Sequence, residues 1–246
     1  MIRLAVAGAA GRMGRCVLEV AAHDSRFEVV AAIDLGTQQL IPACDVLIDF
    51  TDAAGTIEWL KTCESRRLPM VMGTTGHDEA QLTRITQVAR GIAVVKAANF
   101  SVGVQVVLGV VGRIVAELGD EYDIEIVETH HRHKSDAPSG TALSLLAEIQ
   151  RGTEQVRGRK GPDHVVFGRR GKVSERSKGE IGVHAIRMGE IVGQHEIHFS
   201  GPGETITLRH TAHSRETFAA GALRAAAWII GRPPGLYSMR NVLGTN

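Results

Sequence analysis

Ile2-Arg3-Leu4-Ala5-Val6-Ala7-Gly8-Ala9-Ala10-Gly11-Arg12-Met13-Gly14 opens the chain and decides its fold. The compact apolar run Ile2–Ala7 breaks at three glycines spaced GxxGxxG. Helical character follows at Cys16–Ala22, then a second apolar run, Phe27–Ile33, which closes on Asp34. Strand, glycine turn, helix, strand, acid is the order of a dinucleotide-binding unit. Glycines permit the tight turn and the close approach of a pyrophosphate, whose charge faces the helix N-terminus. Asp34 stands where a carboxylate accepts hydrogen bonds from ribose hydroxyls. Glycines alone would suit a turn in some other parallel α/β domain; the full unit favours the nucleotide.

Working outward, three more short apolar runs follow, Val46–Phe50, Pro69–Met72 and Ile92–Val95, separated by helical stretches Gly55–Arg66 and Glu79–Ala89. This alternation predicts a parallel sheet with helices on both faces. Ligands bind outside the carboxyl ends of such strands. Polar or small residues stand there: Phe50-Thr51-Asp52, Gly73-Thr74-Thr75-Gly76 and Ala97-Ala98-Asn99-Phe100. Phe100–Leu118 reads as a passage into a helix, with Ser101 as a candidate N-cap.

From Tyr122 the spacing between alternating runs lengthens, which places a domain boundary near residue 100. Tyr122–Glu128 suits a strand and Ala142–Gln150 a helix. Between them lies His130-His131-Arg132-His133-Lys134-Ser135-Asp136-Ala137-Pro138-Ser139-Gly140-Thr141. Histidine is the usual carrier of a proton near neutral pH. His130, first off the strand, is the first candidate for the acid. Lys134 is a cation whose main role reads as binding an anion, and Asp136 would orient a neighbour or stabilise the loop. Ser139-Gly140-Thr141 opens a helix whose free N–H groups make a cradle for a carboxylate or phosphate. A polar loop with a capped helix would be the plain reading, but cations and an anion cradle occur here together. A zinc site on the histidines would lack nearby third and fourth ligands.

Arg151–Glu180 carries nine Lys/Arg with many glycines, and reads as a solvated, mobile loop. The alternative is an arginine folding over an anionic substrate. Ile181–Arg187, Glu190–Ser200 and Glu204–Thr211 then alternate as a mixed or antiparallel sheet. Such a sheet needs cover on its second face, and a partner subunit would supply it. Arg215–Ile230 has helical spacing and is expected to return to the first domain. The division is therefore 1–100 plus 214–246, dinucleotide-binding, and 101–213, substrate-binding and oligomerisation.

Composition bounds the class. The chain has 246 residues, 43% hydrophobic, with a formal charge of +1. That balance argues against nucleic acid as the main partner. Cys16, Cys44 and Cys63 form no CxxC pair and read as free thiols of a reducing compartment. The N-terminal apolar run is shorter than a signal-peptide core, and Val102–Val111, closed by Arg113, is too short to span a bilayer. A soluble cytoplasmic protein is expected.

Glu128-Thr129-His130-His131-Arg132-His133-Lys134, with Asp136–Thr141, closely resembles the signature of the 4-hydroxy-tetrahydrodipicolinate reductase (dihydrodipicolinate reductase) family. The likeness extends through Gly8–Arg15, Ile48–Thr51, Gly73–Gly76, Ala97–Gly103, Gly189–His195 and Gly235–Leu243. It implies a nicotinamide-dependent reductase of the diaminopimelate route to lysine, reducing a small cyclic dicarboxylate. It implies a Rossmann-like, doubly wound parallel sheet completed by the C-terminal helix, and a second α+β domain whose mixed sheet builds a homotetramer. By resemblance His130 is the proton donor or acceptor, and Lys134 a proton donor that also contacts substrate. His131 and the Ser139-Gly140-Thr141 helix start, through the Gly140 and Thr141 amides, would hold the dicarboxylate. The nucleotide would touch Gly8, Ala9, Ala10, Gly11, Arg12, Met13, Asp34, Gly73, Thr74, Thr75, Ala97, Ala98, Asn99 and Phe100. Two departures stand out: a short link between Asp34 and the strand near Val46, and Leu35 where several relatives carry an arginine suited to a 2′-phosphate. With Asp34 repelling that phosphate, NADH is the expected cofactor, and Arg12 leaves NADPH possible. Another two-domain NAD(P) dehydrogenase of an amino-acid-like substrate, or a non-catalytic NAD(H) sensor, are the competing readings. The sensor would need a DNA-binding element, and no basic reading helix is evident.

Overall fold

The computed structural model describes residues 1–34, 41–157 and 164–245. The chain divides into two compact units, Met1–Val102 with Arg215–Asn246, and Gly103–Ser214.

In the first unit the elements run β1 (Ile2–Ala7), α1 (Arg12–Ala22), β2 (Phe27–Ile33), β3 (Val46–Asp49), α2 (Ala53–Arg66), β4 (Met70–Met72), α3 (Glu79–Val88) and β5 (Ala93–Lys96). Period-two alternation sorts the strand residues between two cores. Leu4, Val6, Val46 and Ile48 point to one face; Ala5, Ala7 and Leu47 point to the other, against Trp59 and Leu60 of α2 and Ile85 and Val88 of α3. Burial on both faces is why these runs are almost continuously apolar. Each fully buried Leu, Ile or Val contributes about 1.5–3 kcal/mol. Helix α2 starts two residues earlier than its apolar pattern suggests, because the Asp52 carboxylate accepts the Gly55 N–H at 2.8 Å.

The second unit holds α4 (Val102–Leu118, whose first residue belongs to the first unit), β6 (Asp123–His130), α5 (Gly140–Arg157), β7 (Val165–Phe167), β8 (Ile181–Arg187), β9 (Gly193–Gly201) and β10 (Glu204–Ala212). Its sheet runs β10-β9-β6-β8-β7, with β6, β7 and β8 parallel and β9 antiparallel to both neighbours. Val107, Val111 and Val115 of α4 and Leu145, Leu146 and Ile149 of α5 cover one face of it. The two helices come close at paired glycines: a Cβ on Gly152 would lie 2.4 Å from the Gly112 carbonyl oxygen.

The chain then returns to the first unit through α6 (Glu216–Ile229), β11 (Gly235–Tyr237) and α7 (Met239–Leu243). Helix α6 packs on α1, β3, β4 and β5, and β11 adds a parallel edge strand beside β5. The first sheet thus has six parallel strands, β11-β5-β4-β3-β1-β2. The expected doubly wound sheet and mixed second sheet are both present. Strand β11 was not expected, since only a closing helix was read from the tail.

Two expectations need correction. Arg151–Glu180 is not simply a solvated loop: α5 continues through Arg157, β7 joins the sheet, and two of the arginines are anchored. Arg169 and Arg176 both pair with Glu125 and Glu180, while His184 Nε2 lies 2.6 Å from Glu125 Oε2. Glycine at position 182 makes room, because a Cβ there would stand 1.8 Å from Glu125 Oε2. Charge pairing across the sheet, invisible in a local window, holds the part from Arg169 to Glu180, while residues 158–163 lie outside the described residues. Second, Val102–Glu121 forms a continuous helical run long and apolar enough to cross a membrane by length and composition. Its apolar stripe instead serves the second core.

Candidate functional site

Strand β1 ends at Ala7, and Gly8 turns the chain at φ +77°. A side chain at Gly8 would meet the Phe50 carbonyl oxygen at 2.5 Å, and one at Gly14 would meet the Gly8 carbonyl oxygen at 2.0 Å. These glycines let α1 start hard against the strand ends. Gly11 caps α1 without any side-chain hydrogen bond, so the first-turn N–H groups of this helix are left for an anion. Arg12 beside them is exposed and Met13 packs on the core. The Asp34 carboxylate accepts the Ala10 N–H through both oxygens, at 3.0 and 2.8 Å. This bond braces the turn. Leu35 lies outside the described residues, as does much of the shortened link.

The other strand ends meet at a residue that sequence reasoning missed. Asp49, fully buried at the end of β3, accepts hydrogen bonds from Thr51 N (3.0 Å), Thr51 Oγ1 (2.6 Å), Thr56 Oγ1 (2.5 Å) and Thr74 Oγ1 (3.0 Å). It ties the β3 loop, the first turn of α2 and the Gly73–Thr75 segment together. Gly73 has no room for a side chain: a Cβ would overlap the Phe50 ring at 2.1 Å. Phe50 meets Phe100 edge-on at 6.0 Å, and Ala97 N donates to the Met72 carbonyl at 3.1 Å. Asn99 accepts the Ser101 N–H at 2.8 Å. Every nucleotide-side residue expected from the sequence therefore lies on the β1, β2, β4 or β5 end of one sheet.

In the second unit, β6 delivers Glu128 and His130 to one face, two residues apart. Glu128 is fully buried. Its Oε2 lies 2.5 Å from His130 Nδ1 and accepts Arg187 Nη1 at 2.8 Å; its Oε1 accepts Arg187 Nη2 at 2.8 Å and Ser139 N at 3.0 Å. Burial alone would raise the Glu128 carboxyl, but the His130 and Arg187 hydrogen bonds outweigh it and hold the group down at about 2. Arg187 also donates to the Lys134 carbonyl (Nε, 3.3 Å) and the Asp136 carbonyl (Nη2, 2.5 Å), which fixes the intervening loop. Lys134 Nζ pairs with Asp136 at 2.7 Å. Of the roles open to Asp136, this geometry gives it the lysine.

Ser139 caps α5, its Oγ accepting the Ala142 N–H at 3.2 Å and lying 3.1 Å from His195 Nε2. Burial, then the neighbouring His130, depress His195 to about 3, so it is neutral at working pH. Its ring stands edge-on to His130 with centroids 5.2 Å apart. Gly193 faces the other side of His130: an ideal Cβ there would be 3.1 Å from Nε2. The space beside Gly140 is open, with nothing within 4 Å of a built Cβ. Thr141 and His131 are buried, and the His131 ring lies 6.1 Å from that of the exposed His133. Among the described residues no cluster of His, Cys, Asp or Glu suits a metal ion.

The structure thus brings His130, Lys134, Ser139 and the start of α5 into one neighbourhood. Glu128 was read only as the end of a strand and the start of the signature, and Arg187 and His195 had no assigned role. Their signal is register: β6 pairs with β8 and β9 so that His130 is opposite Arg187 and Glu128 opposite His195.

Comparison with known proteins places this geometry. Residues 2–100 match the family model described as dihydrodipicolinate reductase, N-terminus, and residues 103–243 match its C-terminus. A 4-hydroxy-tetrahydrodipicolinate reductase of Rubrobacter xylanophilus is 45% identical over 268 residues, covering all of both chains. One from Akkermansia muciniphila is 45% identical over 247 residues, covering 99% of this chain and 98% of its own. Among solved structures, a dipicolinate-bound dihydrodipicolinate reductase from Paenisporosarcina superposes with a TM-score of 0.74 at 25% identity, covering 98% of this chain and 99% of its own.

Proposed function

Since the chain belongs to the dihydrodipicolinate reductase family, we propose that it reduces 4-hydroxy-tetrahydrodipicolinate, with loss of water, in the diaminopimelate route to lysine. The observation that carries the reading is the buried Glu128–His130 pair standing beside the capped start of α5. An imidazole held through Nδ1 keeps Nε2 for proton exchange with a ligand. His130 is the proton donor or acceptor. Lys134, paired with Asp136, grips one substrate carboxylate and takes part in proton delivery. His131 and the Gly140 and Thr141 amides hold the dicarboxylate, with Ser139 fixing the helix start they belong to.

Gly8–Met13, Asp34, Gly73–Thr75 and Ala97–Phe100 hold the dinucleotide, and the uncapped first turn of α1 fits its pyrophosphate. A nicotinamide bound there supplies the hydride. Asp34 makes NADH the preferred form, because a 2′-phosphate would approach a carboxylate. We place the enzyme in the cytoplasm as a homotetramer, with its dinucleotide-binding part at 1–100 plus 214–246 and its substrate and oligomerisation part at 101–213.

The test is nucleotide oxidation coupled to enzymatically generated hydroxytetrahydrodipicolinate. Turnover that needs this compound supports the reading, and cofactor binding with no turnover refutes it. A His130→Ala variant that kept near-full turnover would remove the acid assignment alone.

A further inference from the structure

We propose that Glu128, clamped by Arg187, is the positioning residue that selects the Nδ1–H tautomer of His130 and so dictates that Nε2 is the nitrogen offered to the substrate. The inference rests on His130 as the proton-exchanging group and adds the device that aims it.

All the acceptor capacity of Glu128 is in use. Oε1 takes Ser139 N and Arg187 Nη2; Oε2 takes Arg187 Nη1 and faces His130 Nδ1 at 2.5 Å. A carboxylate accepts only, so the proton in the Nδ1 contact must sit on the imidazole. The two-pronged guanidinium prevents the carboxylate from rotating away, and a planar fork does this better than an ammonium. Arg187 is itself held by the carbonyls of Ile186, Lys134 and Asp136, so the clamp also sets the loop that carries the lysine. On the far side, Gly193 leaves the Nε2 edge uncrowded. The His195 ring closes the remaining side edge-on and makes its own hydrogen-bond contact with Ser139 Oγ rather than with His130.

Glutamine at position 128 would reverse the arrangement. Three donors, two from Arg187 and one from Ser139, compete for its single oxygen, and its NH₂ then faces His130 Nδ1. That nitrogen must accept, which moves the imidazole proton to Nε2.

The experiment is side-chain ¹⁵N–¹H correlation spectroscopy of the full-length protein labelled at histidine, recorded at alkaline pH. The His130 signals are identified by their loss in His130→Gln. The natural chain is expected to show the Nδ1–H pattern and Glu128→Gln the Nε2–H pattern. With the tautomer reversed, kcat should fall about 10²-fold or more, while the Kd for pyridine-2,6-dicarboxylate changes less than about threefold. A merely structural Glu128 would lower the melting temperature with the tautomer unchanged, and that result overturns the proposal. If Glu128→Gln does not fold, the natural chain decides: an Nε2–H pattern overturns it and Nδ1–H supports it. Full activity in His130→Gln would refute the proton-donor reading while leaving the tautomer result standing, so the two failures are distinguishable.

Discussion

The Thr74 hydroxyl donates a 3.0 Å hydrogen bond to Asp49, joining the end of β4 to a carboxylate buried at the end of β3. The same carboxylate takes three further donors from Thr51 and Thr56. Asp49→Ala would leave four donors without this partner, and a single unsatisfied buried group costs about 1–3 kcal/mol. The variant should lose at least that much in urea unfolding. Thr74→Val is the milder probe, removing one hydroxyl and keeping the shape. It should raise the KM for NADH several-fold and leave binding of pyridine-2,6-dicarboxylate unaltered. An unchanged KM in Thr74→Val would mean that Asp49 supports the fold and not the cofactor loop.

Asp34 is the residue on which the proposed preference for NADH is tested. Its bonds to Ala10 N hold the carboxylate against the glycine turn, where an added phosphate would meet negative charge. The ratio of kcat/KM should favour NADH by about tenfold, the effect of roughly 1.4 kcal/mol. Asp34→Asn should narrow that ratio chiefly through improved use of NADPH. A large NADPH advantage in the natural chain would refute the assignment.

Lys134 should behave as a substrate grip. A charge-assisted hydrogen bond is worth about 1.5–3 kcal/mol, so Lys134→Met should raise the substrate KM roughly ten- to a hundredfold. The KM for NADH should stay where it is. Loss confined to kcat, with KM unmoved, would give the lysine proton delivery alone.

The sequence was most informative where physics is local. Gly8, Gly11, Gly14 and Asp34 announce a strand-turn-helix-strand unit because Gly11 and Gly14 answer to contacts within that unit, such as Gly14 against the Gly8 carbonyl, and Gly8 to its own positive φ. The histidine loop was legible for the same reason, being one continuous stretch. Arg187, by contrast, stands 59 residues from Glu128, and only the parallel pairing of β6 with β8 joins them. Asp49 sat in a short apolar run, where a carboxylate reads as the strand's end and its four donors come from three separate segments. The charge pairs of Arg169 and Arg176 with Glu125 were hidden likewise, since composition alone makes a basic, glycine-rich stretch look solvated. Strand β11 is three residues long, too short to show any period.

Acid should unfold the protein through Glu128 and His195, in two overlapping windows. His195 is shifted from an ordinary 6.5 to about 3, so the unfolded chain binds its proton first. Its contribution is fully present above pH 6.5 and drains away as pH falls towards 3. Glu128 moves from 4.5 to about 2, so its contribution holds above pH 4.5 and is lost between there and pH 2. One proton taken up on unfolding tilts stability by about 1.4 kcal/mol per pH unit. Urea midpoints should therefore fall steadily from pH 6.5 to 4.5 and more steeply below. In His195→Gln, which keeps a polar neighbour for Ser139 but cannot be protonated, the slope between pH 6.5 and 4.5 should flatten while the lower limb persists. An equally steep upper limb in that variant would show that another group, not the buried imidazole, takes up the proton.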